Sequence, residues 1–109
     1  MVTVSSPEEL NDALLLNPIV LIFFDREECE VCGHFLRRVT RLLRSYEKIV
    51  SYYVSLDDHP TQASRFGVYK LPAVVVYANG KMTIKFIDDT DLSTLKAHIH
   101  RLYHTIFSE

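Results

Sequence analysis

Tryptophan is absent from this chain, cysteine occurs twice, glycine three times and proline four times in 109 residues. So little glycine and proline leaves no room for a linker or a low-complexity segment, and no internal repeat stands out. No apolar run exceeds six residues, the length of Ile19 to Phe24, well short of the ~20 that span a bilayer. Neither sign of charge dominates: 12 Lys and Arg face 14 Asp and Glu, a net charge of −2. That balance argues against nucleic acid or an acidic membrane surface as the main partner. No basic start followed by an apolar stretch is visible, and the expectation is a cytoplasmic protein. What is present suits a compact fold: 48% hydrophobic and 24% charged residues can bury a core. A single domain over residues 1–109 is expected.

Two cysteines exclude a disulfide framework, which needs more of them, further apart. Their spacing, Cys29-Glu30-Val31-Cys32, closes a loop too short to remove much unfolded-state entropy. It suits redox chemistry or half of a metal site. In Cys32-Gly33-His34 the histidine is one place too late for c-type haem attachment. Zinc would need another pair, such as His100 and His104 at i, i+4 on the last helix. The five histidines (His34, His59, His98, His100, His104) read more simply as surface groups, so no metal and no cofactor is expected.

The order of elements follows from local chemistry. Val2 to Val4 opens as a short strand. Ser6-Pro7-Glu8-Glu9 starts a helix, with Ser6 as cap, Pro7 at the first position and Glu9 closing a capping box. Leu10, Ala13 and Leu14 recur at helical spacing, and Asn17-Pro18 stops the helix. The unbroken apolar run Ile19–Phe24 suits a central strand covered on both faces. A stripe of Phe35, Leu36, Val39, Leu42, Leu43 and Tyr46 marks a long helix, with Arg37, Arg38, Arg41 and Arg44 mostly on its solvated side. Ile49 to Val54 is a second strand, and Pro60 to Phe66 a short helix ended by Gly67. Ala73–Tyr77, the turn Asn79-Gly80 and Met82–Ile87 form a hairpin. Leu92, Leu95, Ile99, Leu102 and Ile106 mark a closing helix. The result is an α/β fold with a central mixed sheet flanked by helices on both faces.

A buried strand, a Cys-x-x-Cys opening a long helix, and Leu71-Pro72 before a hairpin together resemble the thioredoxin family. The segments Leu56-Asp57-Asp58-His59-Pro60 and Arg65-Phe66-Gly67-Val68 add to the likeness, which runs from about Val2 to Phe107. The resemblance implies the thioredoxin fold, with Cys29 as exposed nucleophile and Cys32 as the more buried, resolving thiol. The expected place of Cys29 at a helix N-terminus, where orphan amides and the dipole favour a thiolate, supports that order. The resemblance also implies a cis Pro72, and a Leu71 whose backbone pairs with an extended substrate.

The departures from the family are equally specific. The cysteines sit in Glu28-Cys29-Glu30-Val31-Cys32 where thioredoxins usually carry Trp-Cys-Gly-Pro-Cys. The family's buried aspartate falls at Phe23, its lysine partner at about Tyr53, a groove-lining glycine near Asp88, and the helix-kinking proline at Arg37. The missing aspartate would leave Cys32 without an internal base and make resolution slow, with Asp25 expected to be solvated at a strand end. Asp25, Glu27, Glu28 and Glu30 form an acidic cluster. They read either as a rim that raises the Cys29 pKa, or as ordinary carboxylates at a helix N-terminus.

Two functions follow. The first is a thiol–disulfide oxidoreductase, expected to be a monomeric reductant of protein disulfides. It would be recharged by an electron donor resembling thioredoxin reductase. The second is an interaction module on the same fold, its dithiol a sensor or idle. The site expected for the first is Cys29 and Cys32, docked by Leu71 and Pro72 and tuned by Asp25, Glu28, Glu30 and Phe23.

Overall fold

The computed structural model describes residues 1–89 and 91–108. The elements are β1 (Val2–Thr3), α1 (Pro7–Leu16), β2 (Ile19–Asp25), α2 (Cys32–Leu43) and β3 (Val50–Ser55). They continue with α3 (Thr61–Phe66), β4 (Ala73–Ala78), β5 (Lys81–Ile87) and α4 (Leu92–Phe107). Type and order match the sequence reading throughout. The sheet runs β1-β3-β2-β4-β5, with β1 and β2 parallel to β3, and β4 antiparallel to both β2 and β5.

Strand β2 is the centre, and its period of two divides the core. Ile19, Leu21 and Phe23 point to one face, where Phe35 and Val39 of α2 and Leu95 and Ile99 of α4 cover them. Val20, Ile22 and Phe24 point to the other, against Leu10 of α1, Phe66 of α3 and Val68. All six are at most 1% exposed, which is why the run lacks the polar alternation of a half-solvated strand.

Local signals set the element ends. The Glu9 carboxylate accepts the backbone N–H groups of Ser5 at 2.8 Å and Ser6 at 3.2 Å, satisfying donors that the first turn of α1 leaves over. Asn79 (φ 50°) and Gly80 (φ 80°) both adopt the left-handed conformation that a two-residue hairpin turn requires. Gly67 closes α3 at φ 68°. A methyl group there would meet only the flexible end of Lys85, so the backbone penalty dominates. Gly67→Ala is expected to lower stability by about 1 kcal/mol in urea unfolding.

One boundary differs from expectation in a way that matters. Helix α2 starts at Cys32, with Val31 as its N-cap. Cys29 therefore precedes the helix, in a turn closed by its own N–H donating to the Arg26 carbonyl at 2.9 Å. That local bond holds residues 26–29 out of the helical ladder. The stripe's last member, Tyr46, likewise lies past the end of α2, yet it is buried beneath α4.

The register brings the functional segments together. Phe24 pairs with Ala73 across the antiparallel β2–β4 ladder. The chain leaving β2 toward Cys29 thus runs beside the chain entering β4 from Leu71 and Pro72.

Candidate active site

Cys29 and Cys32 are joined as a disulfide, with Cα atoms 5.4 Å apart. Their exposure differs sharply: Cys32 is fully buried, whereas Cys29 is half-buried at the surface. Helix α2 carries Cys32 inward as its first residue, while the preceding turn leaves Cys29 at the edge of a groove of about 240 Å³. Arg26, Glu28, Tyr69, Lys70 and Leu71 line this groove together with Cys29. The Leu71–Pro72 bond is cis, and Pro72 is buried while Leu71 is half-exposed. Of the predicted site residues, Glu28 lines the groove and Glu30 is exposed in the turn.

Asp88 takes φ 54° where the resemblance places a glycine, and its N–H donates to the Pro72 carbonyl at 3.0 Å. Its carboxylate pairs with Lys70 at 3.5 Å. Both side chains are more than half exposed, so the pair shapes the groove rim more than it stabilises the fold.

The acidic cluster does not behave as a unit. No acid occupies the first turn of α2, because the helix starts later than its sequence suggests. Glu30 directly precedes the N-cap Val31 and stays beside the helix N-terminus, whereas Glu27 and Glu28 lie in the turn before it. Glu27 is exposed, and its backbone N–H donates to Asp57 Oδ2 at 2.7 Å, tying the turn to the end of β3.

Asp25 is half-buried and partnered, rather than left to solvent as a strand end would suggest. Its Oδ2 accepts the Tyr53 hydroxyl at 2.6 Å, and its Oδ1 accepts the Arg26 backbone N–H at 2.7 Å. Its carboxylate and the two sulfurs lie within 4.8 Å of one another. Among the described residues no other three His, Cys, Asp or Glu side chains converge so closely. With the sulfurs joined to each other, the group is an acid beside a disulfide.

Phe23 and Tyr53 are register partners on β2 and β3, and their rings stack 6.3 Å apart at 8°. Phe23 is fully buried, as its proposed alignment with a core position requires. The Tyr53 ring thus packs as a hydrophobe while its hydroxyl reaches Asp25. Burial, then the hydrogen bond to Asp25, pushes the Tyr53 pKa up to about 12, so its hydroxyl remains a donor throughout the neutral range.

Sequence reasoning missed this contact and the roles of Arg26, Tyr69 and Lys70 in the groove. One signal was available: Phe23 and Asp25 are two apart on a strand and so share a face. Among the histidines, His34 is exposed in the first turn of α2, outside the cluster of Asp25 with the sulfurs. His100 Nδ1 is 3.0 Å from the Tyr46 hydroxyl, past the far end of α2 from Cys32, roughly 18 Å of helix away.

An α/β protein with a mixed sheet, a surface disulfide at the start of a helix and a cis proline beside it defines a class of redox-active disulfide proteins. The thioredoxin family profile matches residues 1–101. The chain is 32% identical to the thioredoxin of Chlamydia caviae over 99 residues, covering 87% of this chain and 92% of that one. It is 30% identical to bovine mitochondrial thioredoxin over 74 residues, 68% of this chain and 43% of the bovine protein. Oxidised mitochondrial thioredoxin 3 from Saccharomyces cerevisiae superposes with a TM-score of 0.85 at 20% identity, over 93% of this chain and 94% of the yeast chain. The chain belongs to the thioredoxin family, and it is a thiol–disulfide oxidoreductase.

Proposed function

We propose that the protein reduces protein disulfides, with Cys29 as attacking and Cys32 as resolving thiol. The observation that carries this reading is the asymmetry of the pair: Cys29 borders the groove, and Cys32 is fully buried behind it. The Cys29 thiolate attacks a substrate disulfide to form a mixed disulfide, and Cys32 then displaces the reduced substrate. An extended segment of the substrate lies along the half-exposed Leu71, ahead of the buried Pro72 and strand β4. A donor resembling thioredoxin reductase returns the pair to the dithiol. The protein acts as a monomer in a reducing compartment such as the cytoplasm.

The reducing direction rests on electrostatics. Asp25 beside both sulfurs and Glu28 in the groove disfavour a thiolate, which destabilises the reduced form relative to the disulfide. The expected reduction potential against glutathione is near −270 mV, the thioredoxin range. Turnover of insulin disulfides with dithiothreitol as reductant should accompany it. A potential of about −120 to −180 mV would assign an oxidase or isomerase instead. Binding of a disulfide-containing protein without turnover would leave only the interaction module.

A further inference from the structure

Resting on that reading, we propose that Asp25 accepts the proton of Cys32 in the resolving step, and that Tyr53 is the positioning residue that holds its carboxylate. The need arises from burial. Cys32 has no exposed surface, yet only its thiolate can attack, and an apolar setting favours the protonated thiol. A group the protein itself places within reach is therefore a faster acceptor than bulk solvent.

Among the described residues, Asp25 is the acid whose carboxylate converges with both sulfurs. Its two hydrogen bonds fall on different oxygens, Tyr53 on Oδ2 and the Arg26 backbone N–H on Oδ1. Each carboxylate oxygen retains further acceptor capacity for a thiol proton. Because Tyr53 stays protonated to about pH 12, it donates to the carboxylate at every working pH.

The other charged groups nearby are Asp57 and Asp58 after β3, which act on Tyr53, Arg26, Glu27, Glu28 and Glu30 in the loop, and Lys70, paired with Asp88, in the groove. In the first turn of α2 the titratable group besides Cys32 is the exposed His34, and β4 brings Ala73. None of these joins the cluster of Asp25 with the sulfurs.

The step balances as follows. In the mixed disulfide, the Asp25 carboxylate takes the proton from the Cys32 S–H. The Cys32 sulfur attacks Cys29 Sγ, forming the intramolecular disulfide. The bond between Cys29 and the substrate sulfur breaks, and its electron pair leaves as substrate thiolate. Cys29 and Cys32 end oxidised, the substrate ends reduced, and the proton on Asp25 passes to the leaving thiolate or to solvent.

The reduced protein mixed with the aromatic disulfide DTNB releases thionitrobenzoate in two phases. The first scales with DTNB concentration and reports attack by Cys29; the second does not, and reports resolution by Cys32. Asp25→Asn is expected to slow the second phase about 100-fold at neutral pH. The first phase should be as fast or faster, since a negative charge beside the sulfurs is gone. A merely misfolded variant would slow both. Between pH 6 and 9 the wild-type second phase should change little, whereas in Asp25→Asn it should climb throughout.

Tyr53→Phe removes the bond that orients the carboxylate and should slow the second phase roughly fivefold to tenfold while leaving the first phase unchanged. A second phase in Asp25→Asn within about threefold of wild type at every pH would overturn the proposal. If Asp25→Asn does not fold, a second phase in Tyr53→Phe as fast as in wild type overturns it equally. Failure of the reductant reading looks different: the wild type would show both phases with DTNB yet leave insulin disulfides unreduced.

Discussion

Cys29→Ser is expected to abolish disulfide turnover, by about 1,000-fold or more, while Cys32→Ser still attacks and then stalls as a mixed disulfide. The two sulfurs are joined to one another, so connectivity alone does not distinguish them. Their surroundings do. Cys29 sits in a turn at the border of a groove, and Cys32 is the fully buried first residue of helix α2. A bulky protein disulfide can approach the first but not the second. Limiting iodoacetamide on the reduced protein should therefore label Cys29 first. Mass spectrometry of Cys32→Ser after incubation with an oxidised substrate should find the adduct on Cys29. If Cys32 is labelled first, the assigned roles are reversed.

That result would also test how far the site could be read from sequence. The strand before the cysteines was legible because six consecutive apolar residues leave no solvated face, and every one of them is buried. The hairpin was legible because Asn79-Gly80 suits one family of turns, and both residues adopt it. Cys29 and Cys32 were legible from spacing, and Leu71 and Pro72 from their place before the hairpin.

The helix start was misplaced by three residues, because the bond from the Cys29 N–H to the Arg26 carbonyl is a turn that no residue pattern announces. The Asp25–Tyr53 contact was hidden for another reason. It joins residues far apart in the chain through the β2–β3 register, and periodicity within one segment carries no such information. Tyr53 in particular reads as an apolar replacement for a lysine, which describes its ring and omits its hydroxyl. The groove residues Tyr69 and Lys70 are visible only once β4 lies beside β2.

Phe23→Asp should produce the largest loss of stability, about 3–5 kcal/mol at pH 7 in urea unfolding. The Phe23 ring is fully buried, stacked on Tyr53 and 6.1 Å from the Phe35 ring. A carboxylate there meets two aromatic faces and no cation, with the Asp25 carboxylate two residues along on the same face. Neither charge separation nor water compensates its desolvation. The group responds by holding its proton, so its folded-state pKa rises above the unfolded value of about 3.9. Between those two values the native state binds more protons than the unfolded one, and stability falls as pH rises. The penalty should thus be smaller near pH 4, where the buried carboxyl is protonated, and grow toward neutrality. Phe23→Leu, which keeps the site apolar, should cost far less and show no such pH dependence. Adding Tyr53→Lys to Phe23→Asp supplies the missing cation and should recover part of the loss. The same addition removes the hydroxyl that Asp25 accepts, so recovered stability and altered resolution should appear in one protein. Unchanged stability in Phe23→Asp would mean that position 23 is not a core position, and the β2–β3 register on which the site is built would fail with it.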